Sequence, residues 1–219
     1  MAKRITNSEA AVLEQYRVSF ENVKKQPVIA TALAEFGYPS GRIATGQAYY
    51  IAALQVYQQN KSKDDEKLAA HNLFTQKKNA LAKLYSTHRK KAKVAFRKDP
   101  ITLALLAIDG GQPHVYVKWM EMVEKLYNEL AKNDSLRVTL AGYKITDTEL
   151  TQAATLIADT QSARAAYLLK VGESEDATKH KDAALAQIDE WMGDFYAVAR
   201  IALDQHPQLL EALGVKVKS

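Results

Sequence analysis

Apolar residues recur at intervals of three and four along most of the chain, and this spacing is the feature that most limits its fold. One such stripe contains Leu13, Tyr16 and Phe20, and another runs from Leu81 to Phe96. This spacing places apolar side chains on one side of an α-helix, whereas a half-buried strand needs strict alternation. Only 9 Gly and 5 Pro interrupt the 219 residues. The pattern therefore predicts an all-α protein.

Residues that favour helix starts and stops support the same prediction. Helix starts are predicted at two pairs with capping-box spacing and at one Asp-Pro pair: Thr6 with Glu9, Thr146 with Glu149, and Asp99 with Pro100. Helix ends are predicted at three glycines: Gly37, Gly142 and Gly214.

The two halves of the chain share one pattern of residues at an offset of about 107. At this offset VAFRKDPITLALLAI (94–108) aligns with IALDQHPQLLEALGV (201–215), and Pro100 aligns with Pro207. Matched prolines, glycines and loops are more than helical periodicity alone provides. We therefore predict an internal duplication, with residues 1–109 as the first helical repeat and residues 110–219 as the second. The expected architecture is two similar antiparallel helical bundles, related by a pseudo-two-fold axis and packed as one body.

Each repeat is predicted to contain a long helix, a short helix, a pair of long helices and a short closing helix. The expected ranges in the first repeat are 8–25, 27–36, 40–59, 63–98 and 100–108. Those in the second repeat are 114–132, 135–141, 147–170, 174–205 and 207–213. The polar segments NKSKDDE (60–66) and VGESED (171–176) are expected to separate the members of each long pair.

Charge is distributed unevenly between the two predicted repeats. Residues 1–109 carry 18 Lys and Arg against 9 Asp and Glu, a net +9, whereas residues 110–219 carry 12 against 16, a net −4. A basic half attracts either a polyanion or the acidic half of another copy. Self-association of this kind would weaken as salt screens the charges.

The segment STHRKKAKVAFRK (86–98) contains six of the basic residues. Arg89, Lys90, Lys93 and Arg97 fall on the side of a helical wheel opposite its apolar stripe. That geometry is typical of a solvated face, and basic residues near a helix C-terminus also interact favourably with the helix dipole. The same four residues are candidates for sequence-nonspecific polyanion binding. The aligned segment of the second repeat keeps the apolar stripe but not the charge, so the shared fold does not require these cations.

No motif indicates catalysis or a cofactor. The chain has no Cys, and it contains none of the common nucleotide-binding, metalloprotease or hydrolase signatures. His88 aligns with Phe195 and is interpreted as a packed residue, with a catalytic base as the other interpretation. Asp176 and His180 are four residues apart, but two ligands do not make a metal site. We expect a non-enzymatic protein with no cofactor and no metal.

The N-terminal segment MAKRITNSEAAVLEQ has no apolar core, and no apolar run approaches 18 residues. We therefore expect a cytoplasmic protein without membrane contact. The leading function is a helical scaffold or protein-interaction protein whose partner is another protein or a second copy. Nucleic-acid binding through the basic helix is the alternative. A third hypothesis is a ligand-binding or enzymatic bundle near His88 and the tyrosines.

Overall fold

The structure, a computed structural model, describes residues 8–215. Within that range every regular element is an α-helix and no strand occurs, which confirms the all-α class. None of the described helices is both long and apolar enough to cross a membrane. The helices are α1 (Glu9–Lys25), α2 (Pro27–Glu35), α3 (Ser40–Ala95), α4 (Pro100–Leu105), α5 (Tyr116–Lys132), α6 (Asp134–Ala141), α7 (Asp147–Ala202) and α8 (Gln208–Ala212).

The expected breaks at residues 60–66 and 171–176 are absent, because α3 and α7 each continue unbroken through 56 residues. Both segments are polar, but neither contains Pro, and charged side chains are compatible with a solvated helix. Gly172 alone costs a helix only about 1 kcal/mol relative to Ala. Side chains at these positions also have partners: the Asn60 amide donates to Thr178 Oγ1 at 3.0 Å. The predicted pair of long helices is thus a single helix in each half of the chain.

Two of the three predicted capping sites are confirmed. Thr146 and Glu149 form the predicted reciprocal box, with backbone-to-side-chain hydrogen bonds of 3.2 and 3.3 Å. Asp99 caps α4 by accepting from the Thr102 backbone N–H at 3.0 Å. Thr6 lies outside the described residues, and α1 is capped instead by Ser8, whose Oγ accepts from the Ala11 N–H at 3.3 Å.

The chain forms two compact units, each of which takes residues from both halves of the sequence. The first unit contains α1, α2, residues 40–65 of α3, residues 172–202 of α7, and α8. The second contains residues 66–95 of α3, α4, α5, α6 and residues 147–171 of α7. Residue 109 therefore divides the repeated sequence pattern, whereas each long helix contributes to both units.

The core of the first unit is formed where α1 and α2 cover the long helices. Gly46 contacts Trp191, and Asn60 contacts Thr178. Residue numbers therefore increase along α3 as they decrease along α7. The Trp191 ring lies so close to Gly46 that there is no room for a Cβ atom there. The most buried apolar residues include Leu13, Phe20, Ile29, Leu33, Tyr38, Ile188, Met192, Phe195, Ala199 and Leu213.

The core of the second unit is built from the corresponding helices. Phe74 stacks on Tyr167, and Lys77 forms an ion pair of 2.7 Å with Asp159. Residue numbers again increase along α3 as they decrease along α7. Its buried residues are found largely at positions 107 residues from those of the first core. They include Met120, Tyr127, Leu136, Leu140, Ile145, Leu81, Tyr85, Ala92 and Leu106.

Left-handed backbone conformations recur at the same offset. Gly37 (φ 85°) corresponds to Lys144 (φ 57°), and Ala107 (φ 54°) corresponds to Gly214 (φ 73°). Each residue closes a short helix by donating its backbone N–H back into the last turn. Gly142 follows α6 as predicted, but it has φ −61°, and the left-handed conformation falls on Lys144 instead.

Exchange of the residues at one such pair of positions provides a test of this backbone geometry. Lys144→Gly should raise the free energy of unfolding by roughly 0.5–1 kcal/mol, because glycine relieves the left-handed strain of an L side chain. Gly37→Lys should lower it by a similar amount, since a Cβ added at Gly37 meets no atom and only backbone strain changes. Urea unfolding of both variants measures the two effects, and shifts of the same sign would contradict the assignment.

Candidate interaction sites

The four residues predicted to bind polyanions separate into two groups. Arg89 donates to the backbone carbonyls of Ile108, at 3.3 Å, and of Gly110. Lys93 Nζ approaches the same Gly110 carbonyl at 3.4 Å. Lys90 and Arg97 are exposed to solvent. Two of the four cations therefore hold the chain segment after α4, and two face outward.

The residue equivalent to Arg89 in the first unit reaches such a carbonyl group only through another side chain. This residue is Tyr196, at the 107-residue offset, and its hydroxyl lies 2.8 Å from Ser19 Oγ. Ser19 Oγ lies 2.8 Å from the Leu213 carbonyl oxygen, which follows α8. Different side chains thus satisfy carbonyl groups beyond the closing helix in both units. The contacts of Arg89 could not be predicted from the sequence, because the carbonyl groups become its neighbours only in the tertiary fold.

His88 is fully buried in the second unit, as its alignment with Phe195 suggests. A hydrogen bond of 3.0 Å joins its Nδ1 to the Tyr127 hydroxyl, and its Nε2 lies 3.8 Å from Glu149 Oε2. Nε2 is buried without a hydrogen-bond partner among the described residues, and the donor in the Nδ1–Tyr127 hydrogen bond is set by which ring nitrogen carries the proton. In the first unit the counterparts of His88 and Tyr127 are two phenylalanines, Phe195 and Phe20.

Burial lowers the pKa of His88 below its ordinary value of 6.5. The nearby Glu149 carboxylate opposes this shift, and Lys91 adds to it. Neutral histidine is therefore the form that this core accepts. The unfolded chain takes up the proton near pH 6.5 and the folded chain only at lower pH, so unfolding is favoured as the pH falls below 6.5.

A variant that copies the first unit tests this coupling. We expect His88→Phe combined with Tyr127→Phe to remove part of the acid sensitivity, because neither side chain then titrates or leaves an unpaired hydroxyl. For a single proton, the pH dependence of the free energy of unfolding that the variant removes cannot exceed about 1.4 kcal/mol per pH unit. Denaturant unfolding of wild type and variant between about pH 7.5 and 5.5, on either side of the ordinary histidine pKa of about 6.5, measures the free energy of unfolding of each. Parallel stability curves would contradict the assignment.

An open groove lies in the first unit between α1, α2 and the start of α3, with a volume of about 600 Å³. We call it the first groove. Its lining is largely apolar, and Lys24 is the only charged residue among the described lining residues. Arg42 lies beside it, with its guanidinium 4.0 Å from the centre of the Tyr38 ring. Further lining residues include Phe20, Ala30, Ala34, Ile43 and Ala44.

A second groove of about 430 Å³ occurs at the corresponding place in the second unit, between α5, α6 and the start of α7. Seven lining positions correspond at the 107-residue offset, among them Ala44 with Thr151 and Ala30 with Arg137. The chemistry differs, because the second groove is lined by Glu124, Arg137 and Asp147. Arg137 forms an ion pair of 2.5 Å with Asp134 and lies 3.9 Å from Asp147.

Asp176 and His180 line a common cleft with Glu173 in the first unit. Across the described residues, however, no group of three or more His, Asp or Glu side chains is placed to hold a metal ion. Comparison with known families, with curated proteins and with solved structures gives no significant match to this chain. The function proposed below therefore rests on the geometry of the chain itself.

Proposed function

We propose that this protein is a non-enzymatic, cytoplasmic helical scaffold that binds a helical segment of a partner protein in the first groove. The observation that carries the proposal is the recurrence of one groove in both units with different linings. The packing of the fold explains why a groove is present at each place, but it does not explain why Lys24 is the only charged residue in the described lining of the first groove whereas the second has Glu124, Arg137 and Asp147. Such divergence is typical of two binding surfaces with different ligands.

The lining of the first groove favours an amphipathic helix with acidic residues at its margins. The groove exposes small and apolar side chains between helices, the arrangement that accepts the apolar face of another helix. Its charged neighbours are Lys24 and Arg42, both cations. Acidic residues beside the apolar face of the ligand would therefore complement the groove.

The chemistry of His88 supports a binding protein over an enzyme. The imidazole is fully buried, and its Nδ1 is occupied by the Tyr127 hydroxyl. A general base must reach the proton of a bound substrate within hydrogen-bond distance. The volume around His88 is instead filled by the core of the second unit.

We further infer that the two halves of the chain are copies of one ancestral segment that pair in antiparallel fashion. Helices α1 and α5 each contain 17 residues, and α3 and α7 each contain 56. The left-handed residues and the buried positions repeat at the same offset of 107. This inference supplies the matched control positions used in the experiments below.

Binding of a synthetic helix tests the proposed function. The probe is a fluorescein-labelled peptide of about four helical turns, with Leu and Ala on one face and Glu on the other. We expect anisotropy to show saturable binding, with weaker binding of a scrambled peptide and of a peptide in which Lys replaces Glu. Ala44→Trp should fill the groove and lower the affinity about tenfold or more, since hot-spot contacts carry most of the binding energy.

Thr151→Trp is the matched control, because Thr151 occupies the equivalent position in the second groove. Both Ala44 and Thr151 are exposed, so neither substitution overpacks a core. The control should bind the acidic peptide as wild type does. The proposal would be contradicted if wild type did not bind the acidic peptide, or if the two Trp variants bound it equally.

Nucleic-acid binding is the second candidate function, and the charge of the second unit favours it. Residues 66–171 carry 17 Lys and Arg against 10 Asp and Glu, whereas the remaining segments carry 13 against 15. Lys90 and Arg97 are exposed on this unit. Contacts from such residues to phosphate groups would be salt-sensitive and insensitive to sequence.

Charge reversal separates this function from a solvated basic face. Lys90→Glu with Arg97→Glu should abolish binding to labelled mixed-sequence DNA or RNA at low salt, while circular dichroism shows unchanged helicity. Lys125→Glu with Lys132→Glu alters the same net charge at other exposed positions of the unit and serves as the control. Equal loss in both variants would indicate bulk charge rather than a binding face. Absence of binding by wild type at low salt would exclude this function.

A further inference from the structure

Helix α4 presents two apolar side chains to solvent, whereas its Leu103 packs against the core of the second unit. Ile101 is 81% exposed and Leu105 is 40% exposed, and the two lie one turn apart on the same side of the helix. No residue of α4 is buried. Arg97 and Lys98 precede the helix and are also exposed. We call Ile101, Leu105, Arg97 and Lys98 the α4 surface, and Ile101 is its most exposed apolar side chain.

The corresponding region of the first unit has the opposite character. At the 107-residue offset Ile101 is replaced by Gln208, Leu105 by Ala212, and Arg97 by Asp204. The requirements of the fold therefore do not explain the exposed apolar residues of α4, because the same closing helix exists without them. The α4 surface is a property added to one unit.

A cleft of about 400 Å³ adjoins α8 in the first unit. Val28, Pro207 and Leu209 contribute its apolar lining, and Gln205, His206 and Gln208 contribute its polar lining. Val28 is 59% exposed. Asp204 and Glu211, in the same stretch of chain, are exposed carboxylates. We call the three apolar lining residues and these two carboxylates the α8 cleft. The lining of the cleft is partly apolar, and the two carboxylates lie close to lining residues in the sequence. The α4 surface combines apolar side chains with positive charge.

We propose that the α4 surface of one molecule binds the α8 cleft of a second copy of this chain. Ile101 and Leu105 enter the apolar part of the cleft, and Arg97 and Lys98 face Asp204 and Glu211. Burial of exposed apolar side chains supplies the attraction, and the charges select the partner surface. The two surfaces differ, so the contact is heterologous and leaves one surface of each kind available on every pair of molecules. Assembly therefore continues beyond a dimer or closes into a ring.

The size and chemistry of the α4 surface favour a second copy over other occupants. Two apolar side chains on a short helix offer little area for insertion into a lipid surface. A nucleic acid would satisfy the cations but not the apolar side chains. A surface of complementary charge is present on the same chain, and it is available at the same concentration as the α4 surface itself. A small interface of this kind is weak and sensitive to salt.

Sedimentation velocity of the full chain tests the proposal with two charge-reversed variants. The first, Arg97→Asp with Lys98→Glu, makes the α4 surface negative. The second, Asp204→Arg with Glu211→Lys, makes the α8 cleft positive. We expect wild type to associate at low salt and to dissociate as salt rises. Each variant alone should show an association constant about tenfold or more below that of wild type, because like charges face each other.

An equimolar mixture of the two variants provides the decisive measurement. The negative α4 surface of the first then meets the positive α8 cleft of the second, and the two native surfaces also complement each other. Association should return to near the wild-type level, in complexes that alternate the two variants. Misfolding of either variant cannot produce this recovery. A mixture that remains monomeric would overturn the proposal, as would wild type that stays monomeric at low salt.

The apolar contribution is tested by introducing the residues of the other copy. Ile101→Gln with Leu105→Ala reproduces Gln208 and Ala212 and should lower the association constant about tenfold or more. Val138→Thr is the control, because Val138 is 74% exposed, lies on neither surface and has Thr31 as its counterpart. Equal effects of the two changes would overturn the proposal. No residue of the α4 surface or the α8 cleft lines the first groove, so failure of this test leaves peptide binding there unaffected.

Discussion

Burial of the apolar stripes on α3 and α7 is the constraint on which the rest of the structure depends. Each of these helices has 56 residues, and its stability comes from packing along its apolar side rather than from its backbone hydrogen bonds alone. α3 buries Tyr50 and Ala53 in one core and Leu81 and Ala92 in the other. The shorter helices pack over these stripes. Their caps and left-handed closing residues determine where each short helix begins and ends.

This frame tolerates different chemistry at equivalent positions, and the differences locate the sites of interest. Phe195 and His88 are 107 residues apart, and the histidine contacts a hydroxyl group and lies near a carboxylate. Ala30 and Arg137 line equivalent grooves and give them different charge. Core positions vary within the limits of burial, whereas groove and surface positions vary in charge and polarity. Variation at groove and surface positions can therefore change what the protein binds without changing its core.

Helix periodicity and two of the three capping sites could be predicted from the sequence, because each depends on local chemistry. The internal duplication at an offset of 107 residues stays a prediction. The continuity of α3 through Asn60–Glu66 could not be predicted, since polar residues resemble a loop when their partners on another helix are unknown. The role of Arg89 was missed for the same reason: the carbonyl groups of Ile108 and Gly110 become its partners only after folding. Neither groove leaves a sequence motif, because its lining comes from three helices.

If the two halves of the chain are copies of one segment, as proposed above, the assignment of each long helix to two compact units has a consequence for the origin of the chain. A segment that contained only one copy would expose half of its core pattern on each part of its long helix, with no partner in the same molecule. Two such molecules could cover each other by exchanging halves, so a single-copy ancestor would have been an obligate homodimer. Fusion of its genes through the segment Asp109–Pro113 would then have replaced an association that depends on concentration with one that does not.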